Sequence, residues 1–398
     1  MNLEKIRADF PLLNRVIYFD NACTTLKPIQ VVEAVKKYYT EYTGCAGRSI
    51  HKLAKRTTEE FESSRERVAR FINARTEEIV WTKNTTEAIN MVAHGLNFQN
   101  RNKVITTNLE HSSGLLPWQL LAEKGVIDLE FVLCNKEGEL AVEEFEKKID
   151  ENTKLVSIIF TSNVTGTTAP IKEIVKIAHE RGALVLVDGA QSVPHFRVDV
   201  KKFDLDFLAF SGHKMCGPTG IGCLYGKKEL LEKLSPLNVG GETIKDADLR
   251  THVFEAVPYR FEAGIQNYAG VIGFGSAVDY LSKIGMSNIE KYEKELSKTL
   301  TEGLLSIPGI SLIGPKDWKK RGAIAAFTIE GMAPNDVAIF LDNENIAVRS
   351  GMHCVYPFHK FIGKPKGSVR ASLYFYNTKE EIKIFLEKLD YIIKTLVI

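Results

Sequence analysis

The stretch from Ala183 to Lys214, ALVLVDGAQSVPHFRVDVKKFDLDFLAFSGHK, constrains the fold more than any other part of the chain. It opens on the aliphatic run 183–187, bounded by Gly182 before it and by Asp188-Gly189 after it. Such a run reads as a fully buried strand of a parallel sheet, here ending in a carboxylate. In open α/β sheets the ligand crevice lies outside the carboxyl ends of the strands. A second strand, Phe207 to Phe210, ends in the same way and delivers Ser211, Gly212, His213 and Lys214. Two strand ends thus bring an acid and a lysine to one crevice.

That pair is open to two readings. One is a salt bridge, or two solvated residues at loop starts, where charge is common. The other is a site for pyridoxal 5′-phosphate (PLP), in which the lysine forms a Schiff base and the aspartate pairs with the pyridinium nitrogen. Ser211 and His213, flanking the lysine, would then donate hydrogen bonds to the phosphate.

Further strands are expected at Tyr18–Asp20, Lys103–Thr107, Leu155–Phe160 and Ile221–Tyr225. Helices are expected over residues 1–9, from Pro28 to Tyr42, from His51 to Asn73, opening over Thr82–Ala88, and from Pro170 to Arg181. Thr85 or Thr86 is expected to cap the fourth of these, whose N-terminus is a ready anion site. This alternation predicts a doubly wound, mostly parallel sheet. A long helix from about Asn267 is expected to lead into a smaller region with strands at Ala323–Ile329 and Ile346–Arg349 and a closing helix at Lys379–Lys394.

The 398 residues carry a formal net charge of +2. That length suits one large domain plus a smaller one, and the charge balance gives no electrostatic case for nucleic acid or an acidic membrane. No apolar run approaches the ~20 residues that a membrane span needs. The mixed opening MNLEKIRADFPLL reads as no export leader, so a cytoplasmic location is expected. Cys23, Cys45, Cys134, Cys216, Cys223 and Cys354 are then expected to be thiols rather than disulfides.

VDGAQ (187–191), SGHK (211–214) and GPTGIG (217–222) together resemble the fold-type I PLP enzymes of the class V aminotransferase family. Within it the chain is most similar to the group II, SUF-type cysteine desulfurases, which include the selenocysteine lyases. The similarity runs from FDNA near the N-terminus to RASLYFYNT near the C-terminus. It implies a fold-type I transferase with a seven-stranded, mostly parallel sheet in a large domain at 16–266. A smaller α+β domain would comprise 1–15 and 287–398, joined by a linking helix starting near 267.

The resemblance also assigns roles residue by residue. Lys214 would carry PLP, Asp188 would face its ring nitrogen, Gln191 its phenolic oxygen, and Thr86, then Thr85, its phosphate. His111, in the EH…PWQ pattern, would stack on the ring and shuttle protons, as a flat group titrating near neutrality can. Asn163 of SNVTGT and Arg370 of VRAS would bind the substrate carboxylate, a task that suits the planar guanidinium fork. RSGMHC (349–354) is similar to the desulfurase signature in which Cys354 would be the nucleophile. Arg349, grouped with the substrate-binding residues, and His353 would favour its thiolate form.

Three departures stand out. Asn84 replaces a glycine, Gly114 an asparagine, and Ile265 a threonine that contacts the partner subunit's phosphate, where Gln266 could substitute. Cys23, Cys45 and Cys216 are further thiols near the implied pocket; they are open to reading as small buried residues, as a metal or cluster site, or as a persulfide relay. The implied activity is conversion of L-cysteine to L-alanine with a persulfide on Cys354, in a homodimer that passes sulfur to an acceptor protein. Selenocysteine lyase, aminotransferase or epimerase activity, and a PLP-retaining scaffold are the alternatives.

Overall fold

The computed structural model describes residues 2–396. Seven strands form the main sheet: β1 (Ile79–Thr82), β2 (Lys103–Thr107), β3 (Asp128–Val132), β4 (Thr153–Ile159), β5 (Leu184–Asp188), β6 (Phe207–Ser211) and β7 (Gly222–Gly226). Their spatial order is β1-β7-β6-β5-β4-β2-β3. Every pair from β6 to β3 is parallel, while β7 runs antiparallel to both of its neighbours. The sheet is buried because its residues feed two cores at once. Val185, Val187, Leu208 and Phe210 pack on one face; Leu186, Phe207 and Ala209 pack on the other. Strands covered on both faces read as continuous apolar runs rather than alternating ones, as 183–187 does.

The antiparallel β7 decides the shape of the crevice. Gly222 at its start pairs with both Thr82 and Ser211, so the ends of β1 and β6 share one sheet edge. A Cβ on Gly222 would lie 2.6 Å from the Asn84 Cα. Only glycine lets the chain leaving β1 pass this closely on its way to the helix Thr85–Gly95.

A second, antiparallel sheet holds β8 (Ile310–Ile313), β9 (Ile324–Ile329), β10 (Arg349–Gly351) and β11 (Ser368–Ser372) in the order β8-β9-β11-β10. The helices Met286–Ser306 and Lys379–Leu396 cover it, burying Leu296, Leu300, Phe385 and Leu389 against Phe327 and Val369. The fold class is the expected one: an α/β arrangement with a large, mostly parallel sheet, plus a smaller α+β part.

Four local expectations are corrected. Asn84, not Thr85 or Thr86, caps its helix: its Oδ1 accepts the Glu87 amide at 3.0 Å, and asparagine is among the best capping residues. The long helix from Asn267 is two, Tyr268–Ile284 and Met286–Ser306, separated by Gly285 at φ 89°. The expected strand 346–349 splits. Ile346–Ala347 pairs with Ile17–Tyr18, while Arg349 starts β10. Asp20, expected to end a strand, makes only an isolated bridge to Ser372. That bridge ties the N-terminal segment to β11. Among the described residues no helix is long and apolar enough to cross a membrane.

Candidate active site

The carboxyl ends of β4, β5 and β6 open into a cavity of about 170 Å³. Its walls bring together Thr85, Thr86, His111, Asn163, Asp188, Gln191, Ser211, His213, Lys214, Arg349 and Arg370. Segments more than a hundred residues apart in the chain thus converge on one space.

Asp188 ends β5 and is buried at 5% exposure. It accepts the Ala190 amide at 2.9 Å and forms no ion pair with Lys214, so the salt-bridge alternative does not hold. Burial raises its carboxyl above the ordinary range, and Lys214 pulls it part of the way back. Burial likewise lowers the Lys214 ammonium, against the pull of Asp188. A buried acid kept without a contacting cation is costly unless something bound supplies one.

The start of the helix Thr85–Gly95 is knitted to β6. The Thr85 amide donates to Ser211 Oγ at 2.8 Å, and the two hydroxyls lie 2.6 Å apart. The Thr86 hydroxyl sits 2.7 Å from Ser113 Oγ, which is 3.0 Å from His111 Nδ1. The Ser113 amide donates to that same Nδ1 at 3.1 Å. His111 therefore keeps its proton on Nε2. Burial, with Lys214, Arg349 and Arg370 nearby, pushes its pKa down to about 3, so the ring is neutral. His213 is lowered to about 4, chiefly by burial.

The second sheet contributes the cationic wall. Arg349 on β10 stands directly opposite Arg370 on β11. Like charges facing each other across strands destabilise a sheet, and such a pair points to an anion. Arg370 is fully buried; its Nη1 donates to the Asn163 carbonyl at 3.2 Å and its Nη2 to Asp20 Oδ1 at 2.9 Å. Its Nε, together with Asn163 Oδ1 and Gln191 Oε1, is buried with no protein partner.

Cys354 follows β10 in a strained turn. Gly351, His353 and Cys354 have φ of 107°, 49° and 60°, a left-handed course that non-glycine residues rarely take. The turn is held from outside. The Cys354 carbonyl accepts the Ser112 amide at 2.7 Å and its hydroxyl at 2.9 Å, and the His353 carbonyl accepts Asn163 Nδ2 at 2.8 Å. Arg349 Nη2 is 3.9 Å from the Cys354 sulfur. The expected role of His353 as a cation beside the thiol is corrected. Burial, with Arg370 nearby, drives its pKa down to about 2, and its Nε2 faces Ser368 Oγ at 3.0 Å. It shapes the turn as a neutral ring.

The three extra thiols do not converge. Cys23 lines the cavity; Cys45 lies 3.7 Å from the Tyr268 hydroxyl; Cys216 is fully buried, its amide donating to Thr25 Oγ1 at 2.8 Å. Among the described residues no group of three or more His, Cys, Asp or Glu could hold a metal. Ile265 is exposed, and Gln266 Nε2 donates to the Ala263 and Gly264 carbonyls of its own chain. Sequence reasoning missed Asp20, the carboxylate on Arg370. It quoted Glu110 in the EH…PWQ pattern but gave no role to this residue, which is buried beside His111.

The family profile described as aminotransferase class-V matches residues 17–385. The chain belongs to that family. A probable cysteine desulfurase of Synechocystis sp. is 45% identical over 396 residues, covering 97% of this chain and 94% of that protein. A solved cysteine desulfurase from Thermococcus onnurineus matches with a TM-score of 0.96 at 44% identity, over 99% of this chain and 98% of its own. An Escherichia coli cysteine desulfurase in an S-sulfonic acid form gives 0.92 at 34% identity, over 99% of both. The class-V family fold implies PLP, and the cavity fits it. The buried Asp188 suits a protonated ring nitrogen, Lys214 a covalent anchor, the orphan Gln191 a ring substituent, and the hydroxyls at the helix start a phosphate.

Proposed function

We propose that this protein is a PLP-dependent cysteine desulfurase, which converts L-cysteine to L-alanine and leaves the sulfur as a persulfide on Cys354. The observation that carries this is one cavity walled both by the Asp188 and Lys214 strand ends and by the arginine pair beside Cys354. PLP, when bound, supplies an electron sink for the pair left as the substrate Cα–H bond breaks.

The residues then divide the work. Asp188, Gln191, Ser211, His213, Thr85 and Thr86 hold the cofactor, and Lys214 anchors it. Arg370, through its free Nε, and Asn163, through Oδ1, bind the substrate carboxylate, which fixes the Cα in place. Lys214, its pKa lowered by burial, takes the Cα proton. His111, neutral with its proton on Nε2, carries a proton at the substrate face without adding charge. Cys354, beside Arg349, attacks the substrate sulfur: a new S–S bond forms, the substrate C–S bond breaks with its electron pair kept by Cβ, Cβ takes the Cys354 thiol proton, and Lys214 returns the Cα proton as alanine leaves.

In the proposed division into 16–266 and 1–15 with 287–398, Lys214 and Arg370 belong to different domains, and substrate is bound by both. A cytoplasmic homodimer is the proposed assembly. Ile50, Val239, Leu249 and Ile265 are exposed apolar residues on loops joined by the Arg48–Glu242 ion pair and by Gly264 N to Gly241 O at 2.8 Å. These exposed apolar side chains are the surface proposed to meet the partner subunit. The persulfide goes to an acceptor protein serving iron–sulfur cluster or related cofactor assembly.

The test is alanine and sulfide release from L-cysteine with a reductant, by wild type and by Cys354→Ala. Cys354→Ala is expected to retain the visible absorbance of the bound cofactor and to lose sulfur release. Undiminished alanine release from the variant removes Cys354 from the reaction and turns the assignment to another activity of the family.

A further inference from the structure

Cys23 has no part in the chemistry above, yet it stands on the wall of the cavity that fits cofactor and substrate. Its segment is pinned on both sides. The Ala22 amide donates to Ser372 Oγ at 2.9 Å, the Cys23 amide to the Asp20 carbonyl at 3.1 Å, and the Thr25 amide to the His213 carbonyl at 2.9 Å. The half-buried thiol between these anchors is therefore held at the cavity wall. Its basic neighbours are Lys27, four residues along the same segment, and Lys214 and Arg370 on the same cavity. Lys27 is fixed there by Thr24 Oγ1 at 2.9 Å and the His213 carbonyl at 3.3 Å.

The space in front of Cys23 is ligand space. Arg370, Asn163 and Gln191 are 0%, 4% and 2% exposed; each lines this same cavity and has a buried polar atom without a protein partner. That separates Cys23 from Cys216 and Cys223, which are sealed in the core. Arg349, 3.9 Å from the Cys354 sulfur, forms another wall of the same cavity.

Resting on the reading of Cys354 as the residue that takes the substrate's sulfur, we propose that Cys23 is a second persulfide site, loaded from Cys354 across the Arg349 side of the cavity. The step is a thiol–persulfide exchange. The Cys23 sulfur attacks the outer sulfur of the Cys354 persulfide; a Cys23 Sγ–S bond forms and the Cys354 Sγ–S bond breaks, leaving its electron pair on Cys354. The Cys23 thiol proton ends on Cys354. One thiol and one persulfide become one persulfide and one thiol, so no oxidant or reductant is consumed. The persulfide bond, about 2 Å long, extends the reach of Cys354, and the surrounding cations hold the anionic sulfur in transit. Cys354 is then free for a second substrate before any acceptor arrives.

The experiment loads the holoenzyme with L-cysteine without reductant, alkylates it, and maps the added sulfur by peptide mass spectrometry. Wild type is expected to carry one extra sulfur on Cys354 and one on Cys23. Cys354→Ser should carry neither, and Cys23→Ser should carry sulfur on Cys354 alone. Cys354→Ser is also incubated with active Cys23→Ser and L-cysteine; Cys23 of the inactive chain should stay unlabelled. Sulfur confined to Cys354 in wild type, a Cys23–Cys354 disulfide, or labelling of Cys23 in the mixed sample would each overturn the proposal while leaving the role of Cys354 intact. Sulfur on Cys23 in Cys354→Ser alone would instead sink the Cys354 reading itself.

Discussion

Lys214 and Glu110 show how burial tunes single groups in this protein. Lys214→Ala removes the only amine offered as the cofactor's anchor. The expected outcome is loss of the visible absorption band on reconstitution with PLP, with the far-ultraviolet circular dichroism unchanged. Glu110 is 1% exposed. Its Oε1 accepts from Thr107 Oγ1 at 2.7 Å and from the Ile159 amide at 3.0 Å, while Oε2 has no partner. Burial raises its pKa from 4.5 to about 8. Between those values the fold keeps a proton that the unfolded chain has given up. Its stabilisation is thus full below pH 4.5 and is lost as the pH rises through about 8. Glu110→Gln cannot titrate. Urea melts of the two proteins at about pH 5 and about pH 9 should show wild type losing on the order of a few kcal/mol relative to the variant.

At the scale of the element, the turn after β10 depends on how closely two glycines meet. Gly367 has φ 84°, and a Cβ there would lie 2.4 Å from the Gly351 carbonyl. Gly367→Ala costs ~1–2 kcal/mol from the left-handed backbone alone, and it also pushes β10 away from β11. Cysteine-dependent sulfur release should fall severalfold while cofactor absorbance persists, because the PLP residues sit on the other sheet. Nothing in RSGMHC reveals this pressure. The motif marks the nucleophile, but the left-handed turn at His353 and Cys354 exists only because Ser112 and Asn163, distant in sequence, hold its carbonyls. Asn84 is a simpler lesson. Three adjacent residues could each cap the helix, and the close pass of Gly222 decides among them.

Across the whole molecule, the buried strands were the most legible part. An aliphatic run ending in Asp188 and another ending in Ser211 had few alternatives once parallel packing was assumed, and the cavity formed where they end. Charge relations between distant segments were the least legible: His353 looked like a cation and is buried neutral, and Asp20 gave no sign of meeting Arg370. Assembly belongs to this scale too. Sedimentation equilibrium is expected to give twice the chain mass, and replacing Ile50 and Leu249 with lysine should shift the population toward monomer. A wild type that sediments as a fully active monomer would count against the assembly.

Asp20 gives the carboxylate pocket a resident of its own. Arg370 already holds that carboxylate at 2.9 Å, so an incoming amino acid arrives at a guanidinium that is partly engaged. The substrate carboxylate then takes the free Nε while Asp20 keeps Nη2, so two carboxylates share one guanidinium charge and each weakens the other's hold. Alanine, which keeps the same carboxylate, is subject to the same rivalry on its way out. The aspartate thereby acts as a counterweight: it tempers the grip on substrate and, in the same measure, the grip on product.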